Sequence, residues 1–372
     1  MKIFPAALIV WLLAAAAASA SCPRAEAAFS KGDLAGAISA ADACIAQSED
    51  VEAYWTRGNA RYVTGQPADA ARDFAVVVAR RPTSVDALVM YANSLDDVGE
   101  AEKAMAAFAK AIELAPTQAR PYAERSIAHY RKGDFPKAKA DGDKAVSLDP
   151  KMAQGWRVRA DAKAGLGEFD AAVADYTEAA KLAPNHVDTY LHRGEANFAI
   201  AKLDLAIADY SQVLKLDPRN FEGLAYRCEA RRMKRELAAA ISDCDAALAI
   251  RPNIVFVLNE RAAALNAAGR APEALAGFDA TIAVDPDNRF ARKMRGTIRF
   301  NVGDFAGSVE DYAKVVAAEP TSPIYLAYYG DALVKVGRPA EAKVAYEAAL
   351  KLDPGNASAK SGLEMLAKTA KP

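Results

Sequence analysis

Residues 206–220 read AIADYSQVLKLDPRN, residues 172–186 read AVADYTEAAKLAPNH, and residues 138–152 read AKADGDKAVSLDPKM. These stretches are offset by 34 residues, and prolines at 82, 116, 150, 184, 218, 252, 286, 320 and 354 carry the same interval along the chain. With each proline as position 32, nine units begin at 51, 85, 119, 153, 187, 221, 255, 289 and 323. A fixed period of this size marks a repeat architecture and overrides any domain count taken from length alone.

Other positions keep the same register. Position 8 is always small: Gly58, Ala92, Ser126, Ala160, Gly194, Cys228, Ala262, Gly296 and Gly330. Position 20 is Ala in eight units and Ser308 in the other, position 15 is Gly in seven, and position 24 is aromatic in seven. Each unit therefore reads as two amphipathic helices either side of a turn at position 15, where Gly takes the left-handed conformation that ends a helix. Small residues at 8 and 20 let the two backbones approach, the aromatic ring at 24 fills the space beside them, and Pro at 32 stops the second helix. One such hairpin cannot bury its apolar face alone, whereas stacked neighbours can.

The pattern resembles the tetratricopeptide repeat (TPR) family over residues 51–356, without insertions. The resemblance implies an all-α solenoid of antiparallel helix hairpins wound into a right-handed superhelix. A degenerate unit is expected before it, over 21–50, with Gly32-Asp33-Leu34 as its turn and AGAISAADACIA as its second helix. After Pro354, GNASAKSGLEMLAKTA reads as a capping helix, so that 357–372 form cap and tail.

Position 7 is Arg in seven units and position 23 is Asp in six, and all six Asp units carry the Arg. The two units without Arg pair Tyr91 with Ala107 and Tyr329 with Ala345. A hairpin turning at position 15 brings 7 and 23 side by side, so the pairs read as structural and not as a phosphate site.

The first twenty residues are a separate object. They begin with one Lys, run through an apolar stretch and end in Ala18-Ser19-Ala20, which fits a cleaved secretory signal. An uncleaved anchor and a lipoprotein acylated at Cys22 are the alternatives. The four cysteines fall into two pairs: Cys228 and Cys244 at positions 8 and 24 of the sixth unit, and Cys22 and Cys44 at positions 5 and 27 of the degenerate unit. Both pairs sum to 32, the same offset across a hairpin, which in an oxidising compartment reads as two disulfides.

Catalytic patterns are missing from the sequence. His129, His186 and His192 supply no pair one helical turn apart, no HExxH or phosphate-binding GxxxxGK[ST] occurs, and Asp141-Gly142-Asp143 lacks the Glu that closes a calcium loop. No enzyme activity, cofactor or metal is expected. A net charge of −1 gives no reason to expect nucleic acid, and no apolar run after the N-terminus approaches spanning length. The basic cluster Arg231, Arg232, Lys234 and Arg235 reads as a solvated turn or as a contact for anionic lipid or polysaccharide.

The resemblance implies a protein or peptide partner held on a concave face lined by positions 2, 5, 9, 12 and 13 of the first helices. The carboxylate clamp of some family members would need basic and amide residues where Trp55, Asn59, Met90, Arg120 and Glu124 stand, and Glu124 would repel a carboxylate. Position 9 instead carries Asp161, Glu195 and Glu229 in three successive units, with Phe198 and Tyr130 at position 12 nearby. That row suits a segment with Lys or Arg and an apolar anchor. The expectation is an exported, periplasmic or secreted TPR scaffold or adaptor for another envelope protein. The alternative is a non-catalytic subunit of an envelope enzyme acting on cell-wall or surface polysaccharide.

Overall fold

The structure, a computed structural model, describes residues 23–369. Among the described residues there are twenty-one α-helices and no strand. In every 34-residue period the first helix takes positions 1–13 and the second positions 17–30. They run from Val51–Val63 and Pro67–Arg80 in the first repeat to Pro323–Lys335 and Pro339–Leu352 in the ninth. A shorter pair, Pro23–Ser30 and Leu34–Ile45, precedes these, and Ala357–Thr369 follows them. The expected signal segment and Cys22 lie outside the described residues.

The turn repeats as closely as the helices. Position 15 has φ between 74° and 90° at its seven glycines, and 57° and 63° where Ala201 and Arg235 replace them. In all nine repeats the N–H of position 16 donates to the carbonyl of position 11 at 2.8–3.0 Å, satisfying a carbonyl that the end of the helix would leave open.

Position 20 is fully buried in every repeat, from Ala70 to Ala342. All seven aromatic rings at position 24 are buried too, each removing the better part of a large apolar side chain from water at roughly 2–3 kcal/mol. They lie against position 8. A methyl group at Gly58 would come within 2.8 Å of the Phe74 ring, and one at Gly194 within 2.5 Å of Tyr210. In the sixth repeat (helices Phe221–Met233 and Leu237–Ile250) positions 8 and 24 are the disulfide Cys228–Cys244, fully buried, with Cα atoms 5.5 Å apart. Cys44 is disulfide-bonded as well.

A second contact holds each hairpin on its other side. All six Arg–Asp pairs form with two N–H donors on two carboxylate oxygens; Arg125 meets Asp141 at 2.7 and 2.8 Å, and Arg159 meets Asp175 at the same distances. Position 11 completes the site. It is Arg61, His129, Lys163, Asn197, Arg231 or Arg299 in the Asp repeats, and Leu95, Leu265 or Leu333 in the other three. Lys163 reaches Asp175 at 2.6 Å and Arg231 reaches Asp243 at 2.6 Å. The weakest member is His129, 3.8 Å from Asp141, where burial holds the imidazole below its ordinary pKa. Several of these arginines also reach position 25 of the preceding hairpin, as Arg159 reaches Asp143 and Arg295 reaches Asp279, and so tie neighbours together.

The chain divides into two compact units, one ending at Thr189 and the other beginning at Tyr190. Within each, every helix packs on those before and after it in sequence. First helices of several neighbouring repeats also touch, so the first-helix side is the closely spaced side of each stack.

Candidate functional site

The charges at positions 7, 11, 23 and 25 are consumed in holding the hairpins together. What remains for a partner lies on the first helices at positions 2, 5, 6, 9, 12 and 13. Positions 2 and 9 are seven residues apart, almost two full turns, and share one helix face.

What position 9 meets depends in part on position 24. In three of the four repeats with Tyr at 24, its hydroxyl crosses the hairpin to position 9. Tyr176 donates to Asp161 at 2.7 Å, Tyr346 donates to Asp331 at 2.7 Å, and Tyr312 and Thr297 share a hydrogen bond at 2.8 Å. Asp161 also takes Arg157 at 3.0 Å and is buried. It therefore presents no open carboxylate of the kind expected from the sequence. The reason is local, because its own hairpin supplies both partners.

In the second unit Glu195 is exposed and shares a hydrogen bond with Tyr226, the position-6 residue of the next repeat. Glu229 differs again. Its position 24 is Cys244, locked in the disulfide, so no tyrosine hydroxyl reaches it. Arg232 is turned away onto Glu260, with Nε 2.5 Å from the carboxylate, and leaves Glu229 half-buried without an ion-pair partner among the described residues. Burial first, and the Glu260 charge second, push its pKa above the ordinary carboxylate range. Phe198 packs partly buried beside Tyr210, Leu191 and Tyr226. Tyr130, in the first unit, is exposed, with its ring centroid 5.3 Å from that of Phe135.

Position 2 carries a pattern that the sequence reading passed over. It is Glu52, Asp86, Arg120, Gln154, Asp188 and Glu222 in the first six repeats, then Phe256, Phe290 and Ile324 in the last three. These three are exposed to 38%, 45% and 54%. The alternation was legible, since six polar residues give way to three apolar ones in strict register. Its surface placement needed the structure.

Glu124 is engaged by Asn93 at 3.3 Å and Gln154 at 3.2 Å. Of the basic cluster, Arg231 is held by Asp243, Arg232 by Glu260 and Lys234 by Asp204 and Glu236, while Arg235 forms the turn. Three of its four charges are thus neutralised within the fold. Among the described residues no His, Cys, Asp and Glu group is arranged to hold a metal, and no helix is long and apolar enough to cross a membrane.

A tetratricopeptide repeat family model matches residues 56–119, 124–187, 157–218 and 191–253, and a second one matches 323–356. Among solved structures, a tetratricopeptide repeat protein from Parabacteroides merdae ATCC 43184 is similar at 18% identity and TM-score 0.50, over 67% of this chain and 98% of that one. The C-terminal part of a TPR repeat-containing protein from Cytophaga hutchinsonii is similar at 19% identity and TM-score 0.47, over 74% and 99%. YrrB, described as a TPR protein with an unusual peptide-binding site, is similar at 20% identity and TM-score 0.46, over 50% and 95%. At such identities these likenesses concern the fold alone. No curated protein matches the chain. The TPR fold is typically a non-catalytic scaffold that binds peptides or proteins. The matched stretches span more than half of the sequence and fall on the helix hairpins described above, and the chain belongs to the tetratricopeptide repeat family.

Proposed function

We propose that this protein is an exported scaffold or adaptor that holds another protein of the cell envelope on its first-helix face. The observation that carries the reading is the Cys228–Cys244 disulfide in the core of the sixth repeat, with Cys44 disulfide-bonded as well. Such bonds persist in secreted and periplasmic proteins and are rare where glutathione and thioredoxin keep thiols reduced. The signal-like residues 1–20 point the same way. The family supplies the rest, since its repeats hold peptides and proteins, and Glu195 and Glu229 offer carboxylates to a cationic segment.

The test is the intact mass of the protein purified from its own cells, before and after reduction. The expected species begins near Ser21 and gains four hydrogens on reduction, one pair for each disulfide. A species beginning at Met1 with four free thiols would overturn the exported reading. Co-purification from the envelope fraction then identifies what is held, and one enzyme at fixed stoichiometry would make the chain a subunit and not an adaptor.

A further inference from the structure

We propose that the first-helix face of repeats six to nine binds one linear segment whose side chains follow a set order, a Lys or Arg at one end and apolar residues after it. The proposal rests on the scaffold reading and adds to it the place, direction and chemistry of the partner.

The face has two parts. At the sixth repeat stands Glu229, half-buried and without an ion pair among the described residues; the nearby Arg232 is bonded to Glu260, whose own charge also bears on Glu229. A half-buried carboxylate in this state costs stability, and a partner's cation relieves the cost. From the seventh repeat onward the same face turns apolar through Phe256, Phe290 and Ile324, with Tyr328 also exposed. Most charges that remain there are occupied, and Lys335 at the far end lies over the Phe305 ring, 5.8 Å from its centroid. Lys293 sits 2.7 Å from Glu319 and lies over the Tyr325 ring, and Asp331 accepts hydrogen bonds from Tyr346 and Ser358. The surface thus presents one open negative charge and then a row of apolar side chains. Its complement is a positive charge followed by apolar groups, because a polar or acidic segment would leave the rings wet and Glu229 unpaired.

Contacts fix the order of the parts. Arg232 to Glu260 joins the first helices of repeats six and seven, Asn259 meets Asn288 at the start of the eighth, and Lys293 over Tyr325 joins the eighth to the ninth. Packed helices lie about 8–10 Å apart, so three steps span about 30 Å. An extended strand rises about 3.3 Å per residue, which makes the segment about ten residues long with one anchor at roughly every third position.

Random decapeptides displayed on phage, selected against the oxidised mature chain, test the proposal. Enriched peptides should carry Lys or Arg at one end and two or more apolar residues spaced about three apart. Their affinity should fall at least tenfold in Phe256→Ser with Ile324→Ser, whose side chains are exposed and whose loss leaves helix content by circular dichroism unchanged. Val344→Ser, an exposed apolar residue on a second helix, should leave affinity as it was. Glu229→Gln should remove most of the salt dependence. The proposal falls if no peptide is enriched, if acidic or wholly polar peptides are, or if the double variant binds them undiminished. It falls too if that variant dissociates a dimer in sedimentation, for the row would then be a contact between copies. An envelope partner still captured by the double variant would sink this site and leave the scaffold reading standing.

Discussion

The Asp311 carboxylate accepts from Arg295 at 2.8 and 2.5 Å and from Arg299 at 2.9 Å, in a place from which solvent is excluded. The Arg–Asp pair recurs in six repeats, with a second Arg at position 11 in three of them, and three other repeats do without the Asp. Asp311→Ala removes the buried carboxylate that Arg295 and Arg299 share, leaving them only the more exposed Asp279 and Asp304, and is expected to cost about 3 kcal/mol. Adding Arg295→Tyr and Arg299→Leu copies the Tyr329, Leu333 and Ala345 set of the ninth repeat and should bring stability back to within about 1 kcal/mol. Urea denaturation followed by circular dichroism measures both, and equal losses in the single and triple variants would show that the three positions do not act as one group.

Arg235 and Ala201 hold the left-handed turn where seven repeats use Gly. A side chain there costs about 1–2 kcal/mol, and Gly gives back about 0.5–1 through the freedom of its unfolded chain. Arg235→Gly and Ala201→Gly should each stabilise by about 0.5–1 kcal/mol, whereas Gly167→Ala should destabilise by a similar amount. Chemical denaturation midpoints at constant slope decide it.

Loss of the Cys228–Cys244 disulfide by a double change to Ser should cost roughly 3 kcal/mol through the freedom returned to the unfolded chain. The loss should show first as faster amide exchange in residues 221–250. Cys228→Gly with Cys244→Tyr should recover part of it, because it rebuilds the packing of Gly194 against Tyr210. A tyrosine placed there as Tyr176 is placed against Asp161 would donate to Glu229, so basic peptides should bind this variant more weakly than they bind the parent.

Glu229 holds its proton more tightly in the folded chain than an ordinary Glu does. The folded state therefore binds more protons than the unfolded one between the ordinary carboxylate pKa and the raised value, and the contribution of this group falls as pH rises through that window. Glu229→Gln should be more stable than the parent near pH 7, by less than about 1 kcal/mol, with the difference closing as pH falls toward about 4. Thermal unfolding across pH 4–8 measures it; a gap independent of pH would locate the effect elsewhere.

The sequence by itself carried the fold. A period of 34, Gly at 15, small residues at 8 and 20 and Pro at 32 define the hairpin, because helix ends, close backbone approach and aromatic packing each admit few residue types. The Arg–Asp pairs and the Cys228–Cys244 bond were legible for a related reason, since their separation of 16 residues is set by the hairpin alone. Position 11, which is polar with Asp at 23 and Leu without it, was equally open to reading.

Which carboxylates remain open to a partner was decided by tertiary structure. Asp161 and Glu229 share position 9 and look alike in the sequence, yet one is buried under Tyr176 and Arg157 and the other stands without an ion pair among the described residues. The difference depends on what the facing helix brings across: a tyrosine hydroxyl in one repeat, a sulfur already bonded in the other. Repeat register fixes where a side chain starts. Its exposure and its charge depend on partners that only the packed hairpins bring within hydrogen-bonding distance.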